Sequence, residues 1–250
     1  MTHGPKAPAT SHCRGASDRL EPPGAKQAPQ PAFHGVAPGA GLDDLRQDAS
    51  ALGLVLAEPV LGRLVSYLAL LRKWNGAYNL TAVRDGAQMR LQHVTDCLAV
   101  IEPLRHQTAG RQARILDVGS GGGLPGVVLA TVDPQWDVSC VDAVGKKAAF
   151  IRQVAGELAL PNLHALHARV ETLPGPAFDV ITARAFASLV DLVRLTRPLL
   201  APAGVWMAMK GHRPADEMAA LPPDIEVFHV EHLVIPGLGA ERCLIWMRSR

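Results

Sequence analysis

The 250-residue chain contains no Cys-x-x-Cys pair, and its four cysteines, Cys13, Cys97, Cys140 and Cys243, stand far apart. That spacing excludes a zinc ribbon and a disulfide framework, and fits small core residues in a reducing compartment. The ten histidines are scattered and form no His-Glu-x-x-His motif, so no metal site is expected. No run approaches the roughly 20 apolar residues that span a bilayer, and the N-terminal residues lack the apolar stretch of a signal peptide. A cytoplasmic protein with no membrane partner is therefore expected. A strong charge of either sign is also missing. The formal net charge is +2 and the isoelectric point is near 8.4, compatible with RNA but too weak to argue for it. Without a Gly-Lys-Ser/Thr sequence there is no P-loop.

Hydrophobic residues make up 48% of the chain and charged residues 19%, which describes a globular protein with a sizeable core. Residues 1–41 differ from the rest: they are rich in Pro, Gly and Ala and show no periodic apolar face. Such a segment buries too little surface to offset its ordering entropy, so a disordered extension is expected. Residues 42–110 read as a helical flank. Asp43 and Asp44 are candidate caps for a first helix that Gly53 ends. A second helix starts near Pro59 and carries Leu61, Leu64, Val65, Leu68, Leu71 and Trp74 at helical spacing, with Arg72 and Lys73 in its last turn. A polar link over 75–81 follows, then a helix from about Ala87 to Leu104.

From residue 111 to 250 strands and helices alternate, with strands at Ile115–Gly119, Val138–Asp142, Leu163–His167, Phe178–Ala183, Val205–Met209, Ile225–Val234 and Arg242–Met247. The alternation predicts an α/β fold with a mostly parallel, doubly wound Rossmann-like sheet. Ligands in such sheets lie beyond the carboxyl ends of the strands. Gly119, Asp142, Arg184 and Lys210 all fall just past strand ends.

The densest signal is Asp117-Val118-Gly119-Ser120-Gly121-Gly122-Gly123-Leu124-Pro125-Gly126. An apolar strand breaks into glycines that permit positive φ and close ligand approach, and a helix begins directly after them. Asp142 closes the next strand, nineteen residues beyond Gly123, where an acidic side chain bonds the ribose of a nucleotide-like cofactor. Counted from Gly119, the last position of Gly-x-Gly-x-x-Gly falls on Leu124, which argues against a dinucleotide. An acidic residue below the loop disfavours pyrophosphate and suits a zwitterion such as S-adenosylmethionine. The alternative is that Asp117 only holds the loop by accepting backbone N–H bonds.

Several further stretches resemble one family, the ribosomal small-subunit RNA methyltransferase G family, also called glucose-inhibited division protein B. They include Tyr78-Asn79-Leu80-Thr81, His93-Val94-Thr95-Asp96-Cys97-Leu98, the Leu124-Pro125-Gly126 extension, Arg169-Val170-Glu171, Arg184-Ala185-Phe186-Ala187-Ser188-Leu189 and Lys210-Gly211. The resemblance covers roughly Leu42 to the C-terminus. It implies a class I S-adenosylmethionine-dependent enzyme that methylates N7 of one guanine, guanine-527 in the 530 loop of 16S rRNA. The substrate would be that rRNA, the small ribosomal subunit or its assembly intermediate, and the enzyme a monomer. The implied cofactor contacts are Gly119, Gly121 and Leu124 in the loop, Asp142 at the ribose, Val170 and Glu171 near the adenine, and Arg184. Ala143 and His212 depart mildly from the family pattern, where Ser and Gln are common.

Guanine N7 carries a lone pair and no proton, so its methylation needs no general base. This agrees with the absence of an Asn-Pro-Pro-Tyr motif and of a cysteine placed as nucleophile. Catalysis then rests on alignment and electrostatics. Arg184 and Lys210 are the candidates for positioning: Arg184 at a carboxylate or phosphate, Lys210 at guanine O6 or a phosphate. Lys73, Arg84, Arg90, Lys146, Lys147, Arg169 and Arg213 are candidate RNA contacts. Phe186 is read either as a stacking partner for an extruded base or as core, and Asn79 as a ligand contact or a cap. Two other function classes fit the same residues: a methyltransferase of another substrate, and a non-catalytic assembly factor that senses the cofactor.

Overall fold

The computed structural model describes Met1, Gly4, residues 41–175 and residues 178–250. The disorder expected for residues 1–41, and Cys13 with it, falls almost entirely outside the described residues.

The helical flank begins with α1, Leu42–Ala51, whose N-cap is Gly41 in the left-handed region and has no side-chain cap bond. Asp43 and Asp44 are therefore not caps. They occupy the first turn, where carboxylates complement the helix dipole. Helix α2 runs over Glu58–Tyr78 with Pro59 in its first turn, and ends at Asn79, φ 49°. It is four residues longer than the apolar pattern suggested, so Arg72 and Lys73 lie outside its last turn. Its buried face is also rotated: Leu61, Leu64, Tyr67, Leu70, Leu71 and Asn75 are buried, while Val65, Leu68 and Trp74 are only partly so.

The expected helix Ala87–Leu104 is broken into pieces. Asp85 caps α3, Gly86–Met89, by accepting from the Gln88 N–H at 2.9 Å. A π-helical turn, Arg90–Thr95, follows, then α4, Asp96–Leu98, and α5, Ile101–Thr108. A π turn inside a helix often marks a functional position, and this one presents Gln92 and His93 to the cleft described below.

The remaining elements are β1 (Ala113–Val118), α6 (Gly126–Val132), β2 (Trp136–Asp142), α7 (Gly145–Glu157), β3 (Leu163–His167) and β4 (Phe178–Arg184). They continue with α8 (Leu189–Thr196), β5 (Leu200–Lys210), α9 (Ala215–Ala219), β6 (Ile225–Leu233) and β7 (Arg242–Ser249). Helix α8 is capped by Ser188, whose hydroxyl accepts from Asp191 N–H. The short α9 was not legible as a helix in the sequence. Seven strands form one sheet in the order β3-β2-β1-β4-β5-β7-β6. Pairs among β3, β2, β1, β4 and β5 are parallel, while β7 runs antiparallel to β5 and to β6. The doubly wound sheet is as expected, and its strand order reverses between β1 and β4.

The described residues from Gly41 to Arg250 belong to one compact unit. Leu61, Leu64, Leu70 and Leu71 of α2 share a buried apolar cluster with Val127, Leu129, Phe150 and Ile151 of α6 and α7. Partly buried Trp74 packs against Phe150 with ring centroids 5.4 Å apart and the rings tilted by 55°. Each fully buried large side chain of this kind contributes about 1.5–3 kcal/mol. This packing sets α2 directly against the glycine loop.

Candidate active site

Between β1 and α6 the loop turns on Gly119, Gly121 and Gly123, with φ of 65°, 57° and 87°. L-residues rarely adopt these angles. Three anchors hold the loop. Asp142 Oδ2 accepts from the Gly121 N–H at 3.0 Å. Asp117 Oδ2 accepts from the Gly126 N–H at 2.9 Å. From α2, the Tyr67 hydroxyl donates to the Gly122 carbonyl at 2.7 Å. Burial raises the Tyr67 pKa well above its ordinary value, so the group remains a neutral donor.

Asp117 is fully buried and does not line the cleft, so it acts on the loop from beneath. Burial raises its carboxyl to about 7, against the opposing effect of the Gly126 N–H. Its Oδ1 is buried without a partner. The reading in which Asp117 holds the loop is the one that the geometry favours. Cys140 lies against it, and burial keeps the Cys140 and Cys97 thiols protonated and unreactive.

Two adjoining hollows open over the carboxyl ends of the strands. The larger, about 690 Å³, is lined by Gly119, Gly121, Leu124, Arg184 and Lys210 together with Thr81, His93, Asp96 and Arg242. The smaller, about 260 Å³, is lined by Asp142, Val170 and Glu171. Gly119 and Phe186 border both. The expected site residues are thus brought together along the end of the sheet. Phe186 is partly buried, and a Cβ on Gly119 would stand 3.5 Å from its ring. It is both packed against the loop and a wall between the hollows. Ala185, at φ 57°, is a non-glycine residue in the left-handed region, a local strain of about 1–2 kcal/mol placed where β4 ends.

The cations at the rim are held by carboxylates. Arg184 Nη1 donates to the Gln92 carbonyl at 2.8 Å and to Asp96 Oδ2 at 3.2 Å. Arg242 Nε donates to the other oxygen, Asp96 Oδ1, at 2.8 Å. Lys210 Nζ reaches both oxygens of Glu217, at 3.0 and 2.9 Å, and Glu217 also accepts from the Leu189 N–H at the start of α8. Burial, then Arg184, lowers the His93 pKa, so its imidazole is neutral. Its Nε2 lies 2.7 Å from the Thr81 hydroxyl. That hydroxyl also accepts from the Val83 N–H, and His93 Nδ1 is buried without a hydrogen-bond partner among the described residues.

Of the expected RNA contacts, Arg90 is half-buried in an ion pair with Asp48 and Lys147 pairs with Asp142 at 3.6 Å. Lys73, Arg84, Lys146, Arg169 and Arg213 are exposed, and Arg84 donates to Asn79 Oδ1 at 3.2 Å. Sequence reasoning missed Tyr67, Asp96, Glu217 and Arg242. A charged Asp96 at the head of the apolar Cys97-Leu98 pair was the one local signal available.

These residues fit S-adenosylmethionine. A volume of about 690 Å³ suits a small-molecule site. Gly119 and Gly121 remove side chains where a ligand must approach the backbone, and Asp142 keeps lone pairs beyond the two N–H groups it already accepts from. Arg184 supplies a cation for a carboxylate. Sheet, loop and paired hollows together define a class I S-adenosylmethionine-dependent methyltransferase.

Comparison with known proteins narrows the class. A family model described as rRNA small subunit methyltransferase G matches residues 61–245. The ribosomal RNA small subunit methyltransferase G of Acidovorax sp. (strain JS42) is 59% identical over 212 residues, covering 82% of this chain and 93% of the relative. That of Leptothrix cholodnii is 59% identical over 208 residues, covering 83% and 95%. Among solved structures, TrmN from Thermus thermophilus aligns with a TM-score of 0.50 at 24% identity, over 62% of this chain and 49% of that one. A ribosomal protein L11 methylase from Lactobacillus delbrueckii subsp. bulgaricus aligns with 0.50 at 15% identity, over 64% and 79%. Those two likenesses concern the fold alone. The chain belongs to the rRNA small subunit methyltransferase G family.

No helix among the described residues is long and apolar enough to cross a membrane.

Proposed function

We propose that the protein transfers a methyl group to N7 of guanine-527 in the 530 loop of 16S rRNA, acting in the cytoplasm as a monomer on the small subunit or its assembly intermediate. One observation carries the reading: a single cleft joins the glycine loop to Arg184, Lys210 and Arg242 at the ends of neighbouring strands. The relatives named for small-subunit rRNA methylation support the substrate.

When bound, S-adenosylmethionine supplies an electrophilic methyl group on a sulfonium. Gly119, Gly121 and Leu124 would shape its bed, Asp142 would accept from the ribose hydroxyls, and Val170 and Glu171 would border the adenine. Arg184 would hold the carboxylate with the guanidinium donors that Gln92 and Asp96 leave free. Guanine N7 has no proton to lose, so the cleft residues are needed for alignment rather than as bases. A neutral His93, with Nε2 occupied by Thr81, is consistent with that division of labour.

Lys210 has three N–H donors, two of them on Glu217. The third is available for guanine O6 or a phosphate. Because Glu217 neutralises it, Lys210 can donate without opposing the positive charge that arrives on the purine. Positioning of this kind is worth several kcal/mol of barrier, of an upper range of about 7–11.

The test is transfer of tritiated methyl to purified small-subunit particles from cells lacking the protein. Label in one guanine N7 supports the proposal. Label on metabolites or protein but not on particles points to another substrate, and full cellular function in a variant that cannot bind the cofactor points to an assembly factor.

A further inference from the structure

We propose that Arg242 is a phosphate-binding residue on the acceptor side of the cleft, and that Asp96 is the positioning residue that locks Arg242 to Arg184. The inference rests on the RNA reading above and names which cation meets the RNA backbone.

Arg242 opens β7 and lines the same cleft as the glycine loop. Its Nε donates to Asp96 and its Nη1 to the Glu241 carbonyl at 2.8 Å. A guanidinium has five donors in a fixed fork. Nη2 has no hydrogen-bond partner among the described residues, although the side chain is only 24% exposed.

The charge balance points to an anion. Asp96, with its side chain 3% exposed, is the carboxylate shared by two arginines whose side chains are 23% and 24% exposed. Lys210 is matched by Glu217 and Lys147 by Asp142. Neutral His93 neither adds charge nor removes it. The Arg184–Asp96–Arg242 cluster therefore holds one positive charge without a protein counter-charge. S-adenosylmethionine, whose carboxylate would meet Arg184 but which also carries an ammonium and a sulfonium, brings no net negative charge to match it. Retaining it in a half-buried cleft is costly unless an anion arrives.

Strand order indicates which anion. Asp142 ends β2 and Glu171 follows β3, so the nucleoside side of the cleft lies over those strands. Arg184 ends β4, next to β1 on the other side. Arg242 begins β7, beyond β5 and two places further from the nucleoside side. In that register Lys210 pairs with Cys243, so Arg242 is one residue from the strand position opposite Lys210. Arg184 thus faces the methionine end of the cofactor, while Arg242 stands with Lys210 where the target nucleotide enters. A phosphodiester of that nucleotide or its neighbour is the anion that accompanies it, and planar bidentate donors suit it. Asp96, gripping both guanidiniums through opposite oxygens, fixes the spacing between the cofactor's carboxylate and the RNA backbone.

The experiment uses the full chain as wild type, Arg242→Gln and Arg242→Lys. It measures the particle KM over a salt series and the S-adenosylmethionine Kd by calorimetry. For Arg242→Gln the particle KM is expected to rise about fivefold or more, and the log–log salt slope to become shallower by about 0.7, the contribution of one phosphate contact on single-stranded nucleic acid. The cofactor Kd should stay within about twofold. Arg242→Lys, which keeps the charge but not the fork, should keep the salt slope and show an intermediate KM. A raised cofactor Kd with wild-type particle KM overturns the assignment and gives Arg242 to the cofactor. Wild-type values for both make Arg242 a structural ion pair. Should Arg242→Gln fail to fold, Arg242→Lys decides by the same split between KM and Kd. A wild type that labels no particles removes the RNA substrate itself, a result distinct from a working wild type whose variants match it.

Discussion

Replacing Tyr67 by Phe isolates the bond by which the helical flank controls the cofactor loop. The ring stays, 6.3 Å from Phe150, so no cavity opens; only the hydroxyl that donates to the Gly122 carbonyl at 2.7 Å is lost. The net value of such a bond is about 1 kcal/mol, and the buried carbonyl left behind raises the cost to about 1–2 kcal/mol. For a chain of this size each kcal/mol lowers Tm by about 2–4 °C, so a fall of roughly 2–8 °C is expected. If the loosened loop must be reordered by its ligand at the same cost, the S-adenosylmethionine Kd rises by about 5–30-fold. Differential scanning calorimetry and isothermal titration of the same preparation measure the two effects. A variant with wild-type Tm and Kd would refute the reasoning. It would mean that Asp117 and Asp142 hold the loop without help from α2.

Other expectations concern the same loop and rim. Asp117 has a folded pKa raised to about 7 from 3.8, so the folded state holds a proton that the unfolded state releases between those values. The Asp117 contribution to stability should therefore be full below pH 4 and be lost as pH rises through 7, by a few kcal/mol at most. Asp117→Asn should flatten that decline in urea titrations between pH 4 and 8; an unchanged slope contradicts it. Gly126→Ala would set a Cβ against Cys140 Sγ and 2.9 Å from Asp117 Oδ2, and overpacking should cost about 1–3 kcal/mol. Cys140→Ala in the same chain should recover part of the loss, and additive costs would disprove the contact. Glu217→Gln frees Lys210 from its counter-charge, so kcat on particles should fall while the cofactor Kd is unchanged; a change in Kd alone would misplace Lys210.

The legible parts of the site were those encoded within a few residues. The glycine loop, Asp142 at the end of the next strand, and the residues at or just past the ends of β3, β4 and β5 could be placed because strand alternation puts all parallel strand ends on one side. Most strand boundaries shifted by only a few residues; β5, at Leu200–Lys210, began well before its apolar run. What escaped was non-local. Tyr67 and Gly122 are 55 residues apart, and Asp96 and Arg242 are 146 apart. Neither separation leaves a pattern along the chain. Tyr67 was hidden within an apolar face, and the π turn at Arg90–Thr95 broke the periodicity that suggested one continuous helix. Arg90 looked like a surface cation for RNA, and only the fold revealed Asp48 beside it.

Methylation of one guanine N7 leaves a mark that can be read directly in the RNA. N7-methylguanine is cleaved selectively by borohydride followed by aniline. Small-subunit rRNA from cells with the protein should break at a single guanine in the 530 loop, and rRNA from cells lacking it should remain intact there. Restoring the wild-type chain should restore the break. Identical cleavage with and without the protein would contradict the account.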